Sequence, residues 1–320
     1  MRLLAPATVD PSLSFTPHCL TTFQHHLHEG ERFADANLID LFDSYPRDSI
    51  EVMTMGAKLS DGEWRRGALG RLRGRDVLEA ITRGHLWVNI KHVHENDARL
   101  GELVDESYSE IAEAIGEPVP RWKAATLLVS SPSAFVYYHA DAVPNFLWHI
   151  RGLKRVWVYP AHDERYCPAP LVEDICTGHA PEGLPYEPVF DDGASRLDLE
   201  PGMAASWPLH APHRVDNLEG LNVSLSTEHV TPGSRRSLHV MRGNRVLRRK
   251  LGVVPKSMRP DGVRASFKAG LGTFEHAMTK LFRKRATAFE WPMTFRVDPN
   301  EPRGFSDSMP GSGDDEKARE

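Results

Sequence analysis

The sequence predicts a mainly β fold, a small barrel or jelly roll, with helices packed on its flanks. Three observations carry that reading. From Trp122 to Val230 the chain breaks into short β-branched and aromatic runs separated by Pro/Gly-rich loops. Ahead of that tract, residues 74–83 and 98–115 repeat their apolar residues at helical spacing. Beyond Pro232 the chain turns basic and again helix-like.

Length and composition set the outer bounds. At 320 residues, 40% hydrophobic and 26% charged, the chain can bury a large core as one or two domains and has the balance of a soluble globular protein. A net charge of −5 gives no strong attraction to nucleic acid or to a membrane surface. Cys19, Cys167 and Cys176 have no paired spacing, which argues against a disulfide framework and fits a reducing compartment. The first residues lack the apolar run of a signal peptide, and no stretch approaches 18 apolar residues. A cytoplasmic protein without a membrane partner is expected.

In chain order, residues 1–120 are expected to pack on the core as a mixed helical and strand segment. Ala36–Phe42 is a short apolar piece of it, and His25, His26 and His28 read as a polar loop cluster. A helix over 74–83 stops at Gly84, with Arg83 near its negative end. His85–Lys91 alternates as a strand, and His92, His94 and Glu95 read as its solvated end. The helix 98–115 carries Leu100, Leu103, Ile111 and Ile115 on one face and acids on the other, and Gly116, Pro118 and Pro120 end it. Residues 121–232 form the expected core. Within it the long, proline-punctuated insert 161–198 is placed as a lid.

Residues 233–302 form a basic helical region, with an amphipathic helix over 274–284. Nine cations and no acid occur between 233 and 260. That tract meets an acidic partner, such as an anionic substrate or a second subunit, or is balanced within the same chain. A homodimer through this C-terminal region is one expectation. Residues 303–320 are expected to be disordered.

The chemistry concentrates in 135–160. His139 and Asp141 follow the run Phe135–Tyr138 at i and i+2, so on a strand they share a face with Cα atoms about 7 Å apart. Asn145 and Lys154 follow, read as lying on two strands of a hairpin turned at Arg151-Gly152. Downstream, His213 stands before Val215, where a loop re-enters the sheet; His210 competes with it. Two imidazoles and a carboxylate on one face of a metal form the set that leaves three positions open on a non-haem Fe(II).

These residues resemble the JmjC-type, cupin-like branch of the Fe(II)/2-oxoglutarate dioxygenases, and in pattern the group of the asparaginyl hydroxylase that inhibits the hypoxia-inducible factor. The motif runs His139, Asp141, Asn145, Gly152-Leu153-Lys154 and Pro160, with Pro208, His213 and Val215 as its distal part. The resemblance covers about 121–232. Gly202-Met203 stands where the family usually has Gly-Asp, and Val136 where it often has a hydroxyl residue.

The resemblance implies a double-stranded β-helix (jelly-roll, cupin-like) core, with Fe(II) on His139, Asp141 and His213. The HxVxN continuation and the interval from Pro208 favour His213 over His210. It implies that Lys154 holds the far carboxylate of 2-oxoglutarate and that Asn145 belongs to the cosubstrate site. The implied activity is hydroxylation, or demethylation through hydroxylation, of an unidentified protein side chain or small molecule. A metal-dependent cupin enzyme without 2-oxoglutarate, or a non-catalytic binding protein on the same scaffold, are the alternatives. His149 shares strand parity with Asn145 and Leu147, and either contacts substrate or is a satisfied core histidine.

Overall fold

A computed structural model describes residues 2–5, 8–61, 64–282 and 292–307. The N-terminal part comprises β1 (Thr21–Gln24), α1 (Asp35–Ser44), β2 (Ile50–Thr54), β3 (Arg65–Ala68), α2 (Gly74–Arg83), β4 (Trp87–Ile90), α3 (Val93–Asn96) and α4 (Ala98–Ile115). The core follows as β5 (Trp122–Ser130), β6 (Phe135–His139), β7 (Asn145–Val158), α5 (Ala169–Cys176), β8 (Ser195–Leu199), β9 (Met203–Ser206) and β10 (His213–Val230). Last come α6 (Pro232–Leu251), α7 (Val263–Phe282), β11 (Met293–Val297) and β12 (Phe305–Ser306). Among the described residues no helix is long and apolar enough to cross a membrane.

The fold is mainly β, and its two longest strands build both walls of a jelly roll. β7 and β10 pair antiparallel from Asn145↔Glu228 to Val158↔His213. One half of this ribbon lies between β9 and β5, in a wall ordered β1-β9-β7-β10-β5-β4-β2-β3-β11-β12. The other half lies between β8 and β6. The ribbon turns from one wall to the other at two glycines, Gly152 (φ +82°) and Gly220 (φ +68°). A Cβ on Gly152 would meet Asn222 Nδ2 at 2.7 Å, and one on Gly220 would meet Gly152 Cα at 3.6 Å. Gly152 therefore answers to a positive φ and a close approach together, and Gly220 to its positive φ.

This corrects the expected hairpin at Arg151-Gly152. β10 offers β7 a partner on both sides of Gly152, so the ladder continues through a bulge and the chain does not reverse. The bulge inverts side-chain parity. Asn145 and Leu147 before it, and Lys154 after it, line one cavity. On β10 the lining passes likewise from His213, Val215 and Asn217 to Ser226 and Glu228.

The opposite face of the larger wall carries the main hydrophobic core. Phe146, Trp148 and Ile150 of β7 pack with Phe15 and Phe23 and with Leu103 and Tyr108 of α4. Helix α4 begins where the Asp97 carboxylate accepts the Leu100 N–H at 3.0 Å, and it ends at Gly116 (φ +69°). Helix α2 has the predicted bounds and buries Val77, Leu78 and Ile81.

Two further expectations change at the C-terminus. α7 starts well before residue 274, and residues 283 and 284 of the predicted helix lie outside the described residues. Phe305, in the stretch expected to be disordered, is buried and pairs with Val297; residues 308–320 lie outside the described residues.

Arg245, Arg248 and Arg249 of the basic tract find acids in this same chain. Arg245 and Arg249 of α6 donate to Asp174 of α5 at 2.7 and 2.5 Å, and Arg248 holds both oxygens of Glu173 at 3.0 and 3.2 Å.

Candidate metal centre and its cavity

β6 ends at His139, Asp141 stands two residues on, and β10 opens with His213 paired across to His139. Their ligand atoms lie within 4.8 Å of one another. His139 Nε2 is 3.7 Å from Asp141 Oδ1, and His213 Nε2 is 3.4 Å from Asp141 Oδ2.

Both imidazoles are held the same way. His139 Nδ1 donates to the Tyr137 carbonyl at 2.8 Å, and His213 Nδ1 donates to the Ala211 carbonyl at 3.0 Å. A carbonyl accepts only, so each proton sits on Nδ1 and each Nε2 turns a lone pair toward the carboxylate. Both Nε2 lone pairs then face the Asp141 carboxyl, an arrangement that a cation satisfies. Burial pushes His213 well below the usual imidazole value and keeps it neutral. Burial also raises Asp141, opposed by His139 and by a hydrogen bond that Asn145 Nδ2 donates to Asp141 Oδ2.

His210 is elsewhere. It is 3% exposed, takes φ +63°, and has no hydrogen-bond partner on either ring nitrogen among the described residues. Its ring lies 6.2 Å from His162, and it does not line the cavity. His149 is a satisfied core histidine. Its Nε2 donates to the Gly152 carbonyl at 2.9 Å, and Ser224 Oγ donates to its Nδ1 at 3.0 Å, so it braces the bulge. The His25 cluster is structural as well: His25 Nε2 bonds the Met203 carbonyl at 3.2 Å.

The triad opens into a cavity of about 360 Å³ between the two walls. Lys154 lines it, 4% exposed and without an ion-pair or hydrogen-bond partner among the described residues. Burial lowers its ammonium to about 8. An unpaired cation inside a barrel is costly unless an anion comes to it.

Part of the 161–198 insert closes one side. Gly183 bridges to His139, and the Leu184 N–H bonds the Tyr138 carbonyl at 2.9 Å, which brings Glu182 to the cavity rim. Glu182 gave no signal in the sequence, since the insert has no periodicity. Glu228, also on the lining, did leave one: Ser224, Ser226 and Glu228 alternate with buried Val223, Leu225 and Thr227.

No family model and no curated protein matches the chain. Among solved structures, the chain is similar to an X-ray structure of E. coli ycfD, at a TM-score of 0.46 and 18% identity, over 81% of this chain and 64% of that one. It is also similar to YcfD, a ribosomal oxygenase from Escherichia coli, in complex with cobalt and 2-oxoglutarate, at a TM-score of 0.38 and 17% identity, over 71% of this chain and 54% of that one. Oxalate decarboxylase from Bacillus subtilis matches at a TM-score of 0.23 and 15% identity, over 36% of this chain and 25% of that one. The chain thus spans less than two thirds of the length of each of these structures.

Proposed function

We propose that this chain is an Fe(II)/2-oxoglutarate-dependent oxygenase that hydroxylates a protein side chain or small molecule, or demethylates it through hydroxylation. One observation carries the reading: the ligand atoms of His139, Asp141 and His213 converge within 4.8 Å of one another in a cavity lined also by the buried Lys154, which has no partner among the described residues. The donor set, two imidazole nitrogens and one carboxylate, suits a divalent iron and leaves one face of it open.

Iron bound there supplies activation of O₂ coupled to decarboxylation of 2-oxoglutarate to succinate. The chain's own residues do the rest. The Tyr137 and Ala211 carbonyls fix both imidazole rings. Asn145 steadies the Asp141 carboxylate. Lys154 holds the far carboxylate of 2-oxoglutarate by a charge-assisted hydrogen bond worth about 1.5–3 kcal/mol.

A cupin enzyme that uses the triad without 2-oxoglutarate is the second reading, and it leaves Lys154 unexplained. The likeness to the asparaginyl-hydroxylase group rests on motif spacing and does not extend to the substrate. A homodimer contact in the C-terminal region would fall on α7, where Val263, Phe267 and Phe274 are exposed.

The test is an anaerobic titration with Fe(II), then 2-oxoglutarate, followed by O₂ and measurement of succinate. One iron per chain, 2-oxoglutarate bound more weakly once Lys154 is removed, and succinate formed after O₂ are the expected results. Iron binding with no affinity for 2-oxoglutarate would transfer the assignment to the second reading.

A further inference from the structure

A second cavity, of about 780 Å³, lies against the turn that delivers His213. Pro208 and Leu209 line it, whereas Trp207 and His213 line the metal cavity, so this turn is a wall common to both. Residues 16–20, 158–162 and 259–261 and the first turns of α6 form its other sides. The oxygenase reading makes no use of it.

The groups presented to this second cavity are rich in donors. Gly233, the second residue of α6, lines it, and the Gly233 N–H has no partner among the described residues. Pro232 before it has no N–H, and the Ser234 N–H is taken by Thr231 Oγ1 at 3.0 Å. Gly233 therefore offers an open donor at the positive end of a 20-residue helix. One turn on, at i+4, Ser237 lines the same cavity. It is 4% exposed, and its hydroxyl has no partner among the described residues. A buried, unmatched hydroxyl beside an open helix N-terminus calls for an acceptor from outside the chain. Arg259, His18 and His162 stand exposed on the lining, and none of their side chains has an ion-pair or hydrogen-bond partner among the described residues. Burial, and after it the charge of the nearby Arg259, hold His162 below the usual imidazole value. Asp261 is the single acid on the lining, exposed and in no ion pair, and the single acid between residues 233 and 274.

We propose that this second cavity binds a phosphorylated small molecule, its phosphate received by the Gly233 N–H, the Ser237 hydroxyl and the Arg259 guanidinium, with His162 and His18 beside them. A phosphate brings three acceptor oxygens to a helix N-terminus, a hydroxyl and a guanidinium, and that donor set matches it better than it matches a single carboxylate. The cavity is far larger than a phosphate alone and has the size of a small-molecule site. Asp261, an acceptor among donors, suits a hydroxyl carried by the rest of the ligand. The site needs neither the metal nor 2-oxoglutarate, so it stands or falls apart from the oxygenase reading.

The experiment is calorimetric titration of the full, metal-free chain with ribose 5-phosphate, inorganic phosphate and ribose. One ribose 5-phosphate per chain is expected, bound about tenfold more tightly than inorganic phosphate, with no heat from ribose. Arg259→Gln should weaken the ester about tenfold and Ser237→Ala about fivefold, the losses of one charged and one neutral hydrogen bond. Both replace side chains without partners, and urea unfolding of each variant should match the wild type. Lys154→Met separates the two cavities, because its lysine is the cation of the other one; ester affinity should stay within about twofold. No binding of the ester, inorganic phosphate or ribose bound as tightly as the ester, or ester affinity undiminished in folded Arg259→Gln overturns the inference. Ester binding lost in Lys154→Met overturns it as well, by placing the anion in the metal cavity.

Discussion

The α5–α6 junction and the cavity between the walls both concentrate charge, but they treat it in opposite ways. At the junction every named cation meets an acid. Glu173, 1% exposed, is gripped at both oxygens by Arg248, and Asp174 accepts from Arg245 and Arg249. In the cavity Lys154, Glu182 and Glu228 have no ion-pair partner among the described residues, and the triad brings its three ligand atoms within 4.8 Å of one another. Paired charges of the first kind fasten one element to another. Unpaired, desolvated charges of the second kind cost stability, and chains retain such groups where something outside the chain completes them.

The comparison breaks most sharply at the candidate metal ligands. His213→Ala should lower divalent-metal affinity by more than about a hundredfold, since loss of even an outer-shell partner costs 10–100-fold. His210→Ala should leave it unchanged. Metal content after dialysis against a fixed free concentration decides the matter. A metal site that survives His213→Ala and fails in His210→Ala would move the third ligand.

The junction is expected to fail in stability and not in binding. Glu173→Gln leaves Arg248 without its bidentate partner and should cost about 3 kcal/mol, within the range for breaking a buried pair. Glu173→Leu combined with Arg248→Met should recover most of that loss. Urea unfolding measures both. Metal and 2-oxoglutarate affinity should not move in either variant. A dimer lost on reversing Arg245, Arg248 and Arg249, with stability unchanged, would show that these arginines serve a partner and not α5.

What the sequence made legible follows the same division. The grouping of His139, Asp141 and His213 could be read because each is announced by residues beside it. The β7 bulge could not. An Arg-Gly pair within a β-prone run reads equally as a turn, and only the presence of β10 along both halves makes Gly152 a bend that inverts parity. The salt bridges of α6 were hidden for another reason. Asp174 lies 71 residues before Arg245, within an insert whose sequence has no period. Glu228 was visible in principle from strand alternation, whereas Glu182 reaches the rim through the bridge of Gly183 to His139 and the backbone bonds beside it.

Lys154 offers the finest test of the contrast. Lys154→Ala should weaken 2-oxoglutarate by roughly ten- to a hundredfold, the loss of one charged hydrogen bond, with metal affinity nearly unchanged. The wild-type chain should show a smaller, graded version of the same loss with pH. Burial lowers the ammonium to about 8, and an arriving carboxylate favours the charged form and raises it again. Below pH 8 the lysine is protonated before and after binding, so affinity is flat. Above pH 8 the free chain has shed a proton that binding must restore, and affinity falls by about tenfold per pH unit. In Lys154→Met that slope should vanish and the low affinity should be flat from pH 7 to 9. Titration of 2-oxoglutarate into the metal-loaded chain at several pH values measures it. A wild-type affinity flat to pH 9.5, or a slope that persists in Lys154→Met, would mean that Lys154 is not the group that receives the cosubstrate.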